Sequence, residues 1–332
     1  MKSRFDRIVL LCPHVVTGGP EAIHQASDTI LGLGGEVVVA YYGSQVGLSI
    51  DDGVIHCVYN GRPTPPAYRD YRALIAARIP LTEQSLVIYP ESVLDWALQP
   101  RPFQRAIWWL SVDNAIVKAP QLAYDNHRRK ILERDDLLHF YQSDYARDYL
   151  VKGGARRCLP LADYINRDFA SGGIDLPREK SISYFPRKGG AMASAFFERH
   201  GDLLPRPIEN MPREAVRDTL RGSSLYIDFG HHPGKDRIPR EAALSGNVIF
   251  LHERGAANFY VDHPLDPFYL FTGLDIVNGS LHKRVTWALQ NREHALDQQA
   301  LYRARIAHER DEFEWQVKSW FFEPVSQPIM SG

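Results

Sequence analysis

Short apolar runs alternate with amphipathic stretches along the first half of the chain. The runs predict buried strands at 8–12, 37–42, 55–59, 86–89, 106–110 and 138–142, with a last strand at 159–162. The stretches between them predict helices at 20–33, 67–78, 93–98, within 122–133 and at 145–152. Strands that alternate with helices over short connections are typical of a parallel sheet covered on both faces.

The second half repeats this pattern after a segment at 168–178 that contains Gly172, Gly173 and Pro177 and predicts a linker. Strands are expected at 182–185, 225–228 and 248–251, and helices at 191–200, 212–220 and 240–244. Residues 281–322 favour helix and end in an aromatic cluster, which we expect to pack on the first domain rather than on a membrane. The expected fold class is α/β, with two Rossmann-like domains facing a cleft.

Composition supports an ordinary globular protein of two domains. The 332 residues are 44% hydrophobic and 24% charged, and the formal net charge of -1 gives no general attraction to nucleic acid. Cys12, Cys57 and Cys158 form no CxxC pair, which argues against a disulfide framework or a zinc site and for a reducing compartment.

No membrane-spanning run or secretion signal is expected. The first apolar run ends at Pro13, so it is a strand rather than a signal peptide, and no run approaches the ~20 residues of a membrane helix. We therefore expect a cytoplasmic protein, and a peripheral position at the inner face of the membrane stays open.

The loop after the first predicted strand carries Gly18 and Gly19, followed by Pro20 and Glu21 in the first helical turn. This arrangement lets the backbone approach a ligand, with Glu21 facing it. The alternative is a tight turn in which Glu21 only complements the helix dipole. The loop lacks the GxGxxG pattern, which disfavours a dehydrogenase.

Two basic loops follow strands of the second half. The segment SYFPRKGG carries Arg187, Lys188 and Gly189, and the segment GHHPGKDR carries the candidates His232, Gly234, Lys235 and Arg237. Both loops are expected at the carboxyl ends of parallel strands, where they would face one crevice and bind a diphosphate. Glu241, one turn into the next helix, can accept hydrogen bonds from sugar hydroxyls. The alternative for the first of these loops, taken alone, is a solvated turn, and the second basic loop counts against it.

The segment WWLSVDN places Asp113 at the mouth of a first-half strand, as a candidate general base or as a helix cap. Glu91 follows another strand and could likewise be a general base or a helix cap, with the helix cap favoured. At least one of Trp108 and Trp109 is expected in the core rather than as a platform for a sugar.

A metal site is not expected. His231 and His232 are adjacent, so their rings tend to diverge, and no third ligand joins them and Asp236 at a familiar spacing. The basic loops would neutralise a leaving phosphate instead, and no cofactor is implied.

The chain resembles the GT-B glycosyltransferases, and within them a bacterial subgroup tied to surface-polysaccharide assembly. The matching segments are TGGPEAIHQ at 17–25, YFPRKGG at 184–190 and PREAALSGNVIF at 239–250, together with WWLSVDN and DFGHHPGKDR. The resemblance covers most of residues 8–255. It implies an acceptor-side domain at 1–170, a nucleotide-sugar domain at 171–300, and a helical tail at 301–332 that crosses back to the first domain.

One departure concerns the E-x7-E arrangement of many retaining members. Glu241 matches the later glutamate, but Pro233 stands at the earlier position. The resemblance therefore assigns Glu241 to the ribose or to donor hydroxyls, and it leaves open whether the reaction inverts or retains.

These observations predict a hexosyltransferase-like glycosyltransferase that uses a nucleotide-sugar as substrate and a glycan or lipid-linked hydroxyl as acceptor, without metal. Arg187, Lys188, Lys235 and Arg237 would stabilise the leaving phosphates. Asp113 and Glu21, with His14 behind them, are the candidate bases. Two alternatives remain: a nucleotide-sugar epimerase or hydrolase of the same fold, and a non-catalytic nucleotide-sugar-binding protein.

Overall fold

Parallel sheets form the centre of both halves of the chain in a computed structural model that describes residues 1–43, 48–57, 63–170 and 178–324. The chain divides into two units. The first unit comprises Met1–Asp163 and the chain from Asp311 onward, and the second comprises Tyr164–Arg310.

The first unit contains the predicted run of alternating strands and helices. Its strands are β1 (Ile8–Pro13), β2 (Val37–Tyr42), β3 (Leu48–Asp51), β4 (Val54–Cys57), β5 (Arg78–Pro80), β6 (Leu86–Pro90), β7 (Gln104–Trp109), β8 (Leu137–Tyr141) and β9 (Cys158–Pro160). Its helices are α1 (Gly18–Gly32), α2 (Leu94–Leu98), α3 (Val112–Lys118), α4 (Asp125–Leu132) and α5 (Asp144–Lys152). Within the described residues, the parallel sheet has the order β2-β1-β6-β7-β8-β9.

The predictions of β1 and β2 succeed because these strands are buried on both faces. β1 and β2 read IVLLCP and VVVAYY, and nearly every side chain in them is buried. Trp108 and Trp109 are both core residues; their indole N–H groups donate to the Leu161 carbonyl (2.8 Å) and to His139 Nδ1 (3.1 Å).

The predicted helix at 67–78 is wrong. The structure has a short 3-10 turn at Pro66–Tyr68 and then an irregular segment that leads into β5. The carbonyl of Leu74 accepts from Val39 N (2.8 Å) and that of Ala77 from Cys57 N (2.8 Å). The later carbonyl groups of this segment therefore bond to distant strands rather than within a helix.

The predicted strand at 55–59 is β4, which pairs antiparallel with β3 and β5 in a small separate sheet rather than in the parallel one. Residues 58 and 59 of that prediction lie outside the described residues, as do residues 171–177 of the predicted linker. The earlier part of that linker, around the buried Phe169, belongs to the core of the second unit.

The second unit has the strands β10 (Glu179–Tyr184), β11 (Leu204–Pro207), β12 (Ser223–Asp228), β13 (Val248–His252) and β14 (Leu270–Phe271). Its helices are α6 (Gly190–Arg199), α7 (Arg213–Gly222), α8 (Arg237–Leu244), α9 (Gly273–Val277), α10 (Ser280–Gln290), α11 (Arg292–Gln298) and the first part of α12 (Ala300–Phe321). Among the described residues, the strands pair in parallel in the order β11-β10-β12-β13-β14.

The end of α12 belongs to the first unit, as the predicted packing of the tail requires. Gln316 Oε1 accepts from Ala162 N (2.8 Å), Trp320 Nε1 donates to the Pro160 carbonyl (2.7 Å), and Phe321 packs on Phe140. A helix needs roughly 20 mostly apolar residues to span a bilayer, and no helix in the part of the chain described here meets that requirement.

Candidate functional site

The sheet of the second unit reverses its strand order between β10 and β12. From β10 the chain moves first to β11 on one side and then to β12 on the other. Ligands of open α/β sheets bind outside the carboxyl ends of the strands at such a switch point. The loops that follow β10 and β12 are the two basic loops singled out in the sequence.

Gly189 brings these two loops into direct contact. It has a left-handed backbone conformation (φ 71°), and a Cβ at this position would overlap the carbonyl oxygen of Phe229, which follows β12. Gly189 is also the N-cap of α6 and offers no side-chain acceptor to the N–H groups of the first turn. Those N–H groups and the helix dipole favour an anion.

Lys188 links the two loops electrostatically. Its Nζ lies 2.8 Å from both carboxylate oxygens of Asp236, and His232 Nδ1 lies 3.0 Å from Oδ2 of the same residue. Burial opposes ionisation of Asp236, but the hydrogen bond with His232 and the charge of Lys188 outweigh it and lower its pKa to about 2. Asp236 is therefore a fixed negative charge, and Lys188, with 34% of its side chain exposed, can still face a ligand.

His232 is fully buried beside Asp236. Burial opposes its protonation, but the charge of Asp228 and the contact with Asp236 raise its pKa overall. Its carbonyl oxygen accepts from Ala256 N (2.8 Å), which ties the loop after β12 to the chain after β13. His232 and the buried Gly234 therefore lie in a loop that is fixed by the hydrogen bond from Ala256 N and by the contact between His232 and Asp236.

Lys235 pairs with a residue of α12. Its Nζ lies 3.1 Å from Oε1 of Glu309, and Arg240 Nη1 donates to the other carboxylate oxygen at 2.7 Å. Arg240 is completely buried and Glu309 is 5% exposed. The sequence did not point to Glu309, because its partners lie about 70 positions earlier in the chain.

Arg237 and Glu241 form the start of α8. The guanidinium Nε lies 3.5 Å from Glu241 Oε1, and Nη1 donates to the Tyr164 carbonyl at 3.2 Å. Each of the two side chains is 11% exposed. The carboxylate of Glu241 is thereby oriented one turn inside the helix.

Arg187 contacts the loop after β11, the strand on the opposite side of β10 from β12. Its guanidinium donates to Asn210, which lies in the loop after β11. Arg187 and Lys188, expected side by side on one diphosphate, therefore contact different loops.

The sheet of the first unit has its own switch point, between β1 and β6. The loop after β1 leads from His14 to Gly18 and Gly19, which begin α1. A Cβ on Gly19 would lie 3.5 Å from Leu110, an ordinary contact. The loops after β1 and β7 are therefore neighbours at the carboxyl edge of this sheet.

The candidate bases after β1 are held by neighbouring groups. Glu21 is 8% exposed, and its Oε1 accepts from the hydroxyl of Tyr71 at 2.9 Å. His14 Nε2 lies 3.3 Å from the Pro63 carbonyl.

Asp113 is not the cap of its helix. The N-cap of α3 is Ser111, whose side chain accepts from Asn114 N at 3.3 Å. Asp113 instead accepts from the hydroxyl of Tyr145 at 3.2 Å. Burial and the nearby Asp113 raise the pKa of Tyr145 to about 12, so this hydroxyl remains a donor at neutral pH.

Glu91 lies immediately after β6, at the switch point of the first unit. It is 5% exposed, and its Oε2 accepts from Leu110 N at 3.1 Å. Burial raises its pKa to about 7. Its position after a strand was visible in the sequence, but its burial was not.

No family model matches the sequence, and no curated protein matches it significantly. Solved structures do match the fold over nearly the whole chain. Sucrose-phosphate synthase from Thermosynechococcus elongatus aligns over 96% of this chain and 95% of its own, with a TM-score of 0.57 and 14% identity. Trehalose-6-phosphate synthase OtsA aligns over 94% and 99%, with a TM-score of 0.57 and 12% identity.

A third match is a variant of TarM from S. aureus in complex with Fondaparinux, alpha-GlcNAc-glycerol and UDP. It covers 93% of this chain and 99% of its own, with a TM-score of 0.59 and 8% identity. These similarities define the class of the fold, which is the GT-B fold of glycosyltransferases. At such identities the fold is shared and the activity has to be argued from the site.

Proposed function

We propose that this protein is a glycosyltransferase that moves a sugar from a nucleotide-sugar to a hydroxyl of a glycan or lipid-linked acceptor. We place the reaction in the cytoplasm and in polysaccharide biosynthesis. The observation that carries the proposal is the contact of two basic loops, through Gly189, at the switch point of the second sheet. The neighbour that contains UDP has the same fold.

The first turn of α6 and Lys188 would receive the diphosphate. Rupture of the anomeric bond leaves negative charge on the departing phosphate and an oxocarbenium-like sugar. N–H donors and a cation that are already in place stabilise that charge as it develops. Because these groups supply the electrostatic stabilisation, we propose that transfer needs no metal.

Glu241 would accept hydrogen bonds from ribose or from donor hydroxyls, held in place by Arg237. Lys235 and Arg187 would act at the periphery, since the side chain of Lys235 is only 14% exposed and Arg187 donates to Asn210 in the loop after β11. On the acceptor side we assign the base to Asp113 or Glu21, with His14 behind them.

A thermal-shift screen against UDP-, GDP-, CMP- and dTDP-sugars tests the proposal first. One nucleotide class is expected to raise the melting temperature, and transfer from that donor should persist in EDTA. Nucleotide release without an acceptor would indicate a hydrolase, conversion of the donor sugar alone would indicate an epimerase, and binding without any turnover would indicate a binding protein.

Lys188→Ala is expected to lower the turnover number about 10²- to 10³-fold, because one preorganised group on the leaving phosphate is lost. Glu241→Ala should reduce transfer mainly through a higher KM for the donor. Steady-state kinetics with the identified donor measure both changes. Lys180→Ala and Glu214→Ala, at positions of the same unit outside the basic loops, are the matched controls. Unchanged transfer in both site variants would remove the site assignment.

Replacement of the base should leave donor binding intact. Asp113→Asn or Glu21→Gln is expected to lower turnover about 10²-fold, with an unchanged thermal shift by the donor. If neither variant loses turnover, the base lies elsewhere or the reaction retains configuration.

A further inference from the structure

Three metal-binding side chains meet at the edge of the second unit opposite to the basic loops. His200 is the C-cap of α6, Asp202 lies in the turn before β11, and His282 lies in the first turn of α10. α6 begins at the carboxyl end of β10 and contains ten residues, which makes it about 15 Å long. This cluster is therefore separate from the proposed donor site.

The three side chains of the cluster lie close together. His282 Nε2 lies 2.9 Å from Asp202 Oδ2, and the rings of His200 and His282 stack with centroids 3.9 Å apart. One ligand atom from each residue lies within 4.8 Å of the others. Tetrahedral coordination with zinc–nitrogen distances of ~2.0 Å separates ligand atoms by about 3.3 Å. Because the two rings stack in parallel, one of them would have to rotate before both could bind the same ion.

His200 Nε2 is buried and has no hydrogen-bond partner among the residues described. A buried polar atom without a partner is unfavourable, and a bound ion would supply a partner for this nitrogen. The side chains of His282 and Asp202 are 26% and 58% exposed, which gives an ion access from solvent.

We infer that His200, Asp202 and His282 bind a divalent transition metal ion, with Zn²⁺ as the best match. Two imidazoles and one carboxylate suit zinc, whereas Mg²⁺ and Ca²⁺ prefer oxygen ligands throughout. Water would complete the coordination. The ion would join the turn after α6 to the start of α10, and it has no part in the proposed transfer chemistry.

Isothermal titration of the chelator-treated, untagged full chain with ZnCl₂ tests this inference. One equivalent is expected to bind, and zinc at about 100 times its Kd should raise the melting temperature by roughly 5–10 °C. MgCl₂ should produce neither effect. Co²⁺ in place of zinc should give the visible absorption of a nitrogen- and oxygen-ligated site.

Variants separate this site from adventitious binding. His282→Ala and Asp202→Asn should each weaken zinc binding at least about 10-fold, whereas His127→Ala, at an exposed histidine of the first unit, should not. Asp202 is exposed, so Asp202→Asn tests the site even if His282→Ala folds poorly. Absence of zinc binding, or equal affinity in the wild type and Asp202→Asn, would overturn the inference, whatever the outcome of the transfer assays.

Discussion

Glu309→Ala is expected to lower the free energy of unfolding by about 3–5 kcal/mol, the largest effect among our predictions. Arg240 is completely buried, and its Nη1 is 2.7 Å from the Glu309 carboxylate. Loss of that carboxylate leaves a buried guanidinium, and the partly buried Lys235, without this counter-charge. Urea unfolding monitored by circular dichroism measures the change.

Two further variants decide whether the uncompensated charge of Arg240 causes the loss of stability in Glu309→Ala. Glu198→Ala, at an exposed position of α6, should change stability by no more than about 0.5 kcal/mol. The double variant Arg240→Met, Glu309→Leu removes both charges and should recover part of the loss. A Glu309→Ala protein as stable as the wild type would show that solvent reaches Arg240.

Glu91→Gln is expected to remove a pH-dependent contribution to the free energy of unfolding. Between pH 5 and pH 8, the difference in this free energy between the variant and the wild type should change by about 2–3 kcal/mol. The pKa of Glu91 is raised from 4.5 to about 7 by burial. Between these values the folded chain holds a proton that the unfolded chain has released, so the contribution of Glu91 to stability falls as pH rises. The glutamine side chain of the variant cannot titrate, and its amide oxygen can still accept from Leu110 N.

The variant should therefore gain stability relative to the wild type as pH increases, and the gain should level off above pH 7. Urea unfolding of both proteins at pH 5, 6, 7 and 8 measures the difference, in which the titration of all other groups cancels. Glu83→Gln, at an exposed position of the same unit, should show a flat difference. A flat difference for Glu91→Gln as well would mean that Glu91 is hydrated.

Much of the fold could be predicted because parallel strands buried on both faces leave a continuous apolar run in the sequence. The predicted strand at 37–42 coincides with β2, and α5 begins within one residue of its predicted start. The segment at 67–78 has an equally helical pattern, but its Leu74 and Ala77 carbonyls accept from Val39 and Cys57 rather than from a helical turn. Local periodicity contains no information about such distant donors.

The candidate site likewise combines features that are local in the sequence with contacts between distant residues. The sequence indicated which loops follow strands and which residues in them carry charge, because both are local properties. It could not show that Lys188 pairs with Asp236 and Lys235 with Glu309, or that Arg187 contacts Asn210. Each of these pairs joins residues that are distant along the chain.

By itself, the order of residues determined the alternation of strands and helices and the placement of basic, glycine-containing loops at the ends of strands. Tertiary structure decided which charges are neutralised, which carboxyl group is buried enough to titrate near neutrality, and which histidines meet. The physical reason is that burial and Coulomb interactions depend on distance in space, and chain folding sets that distance between residues far apart in sequence.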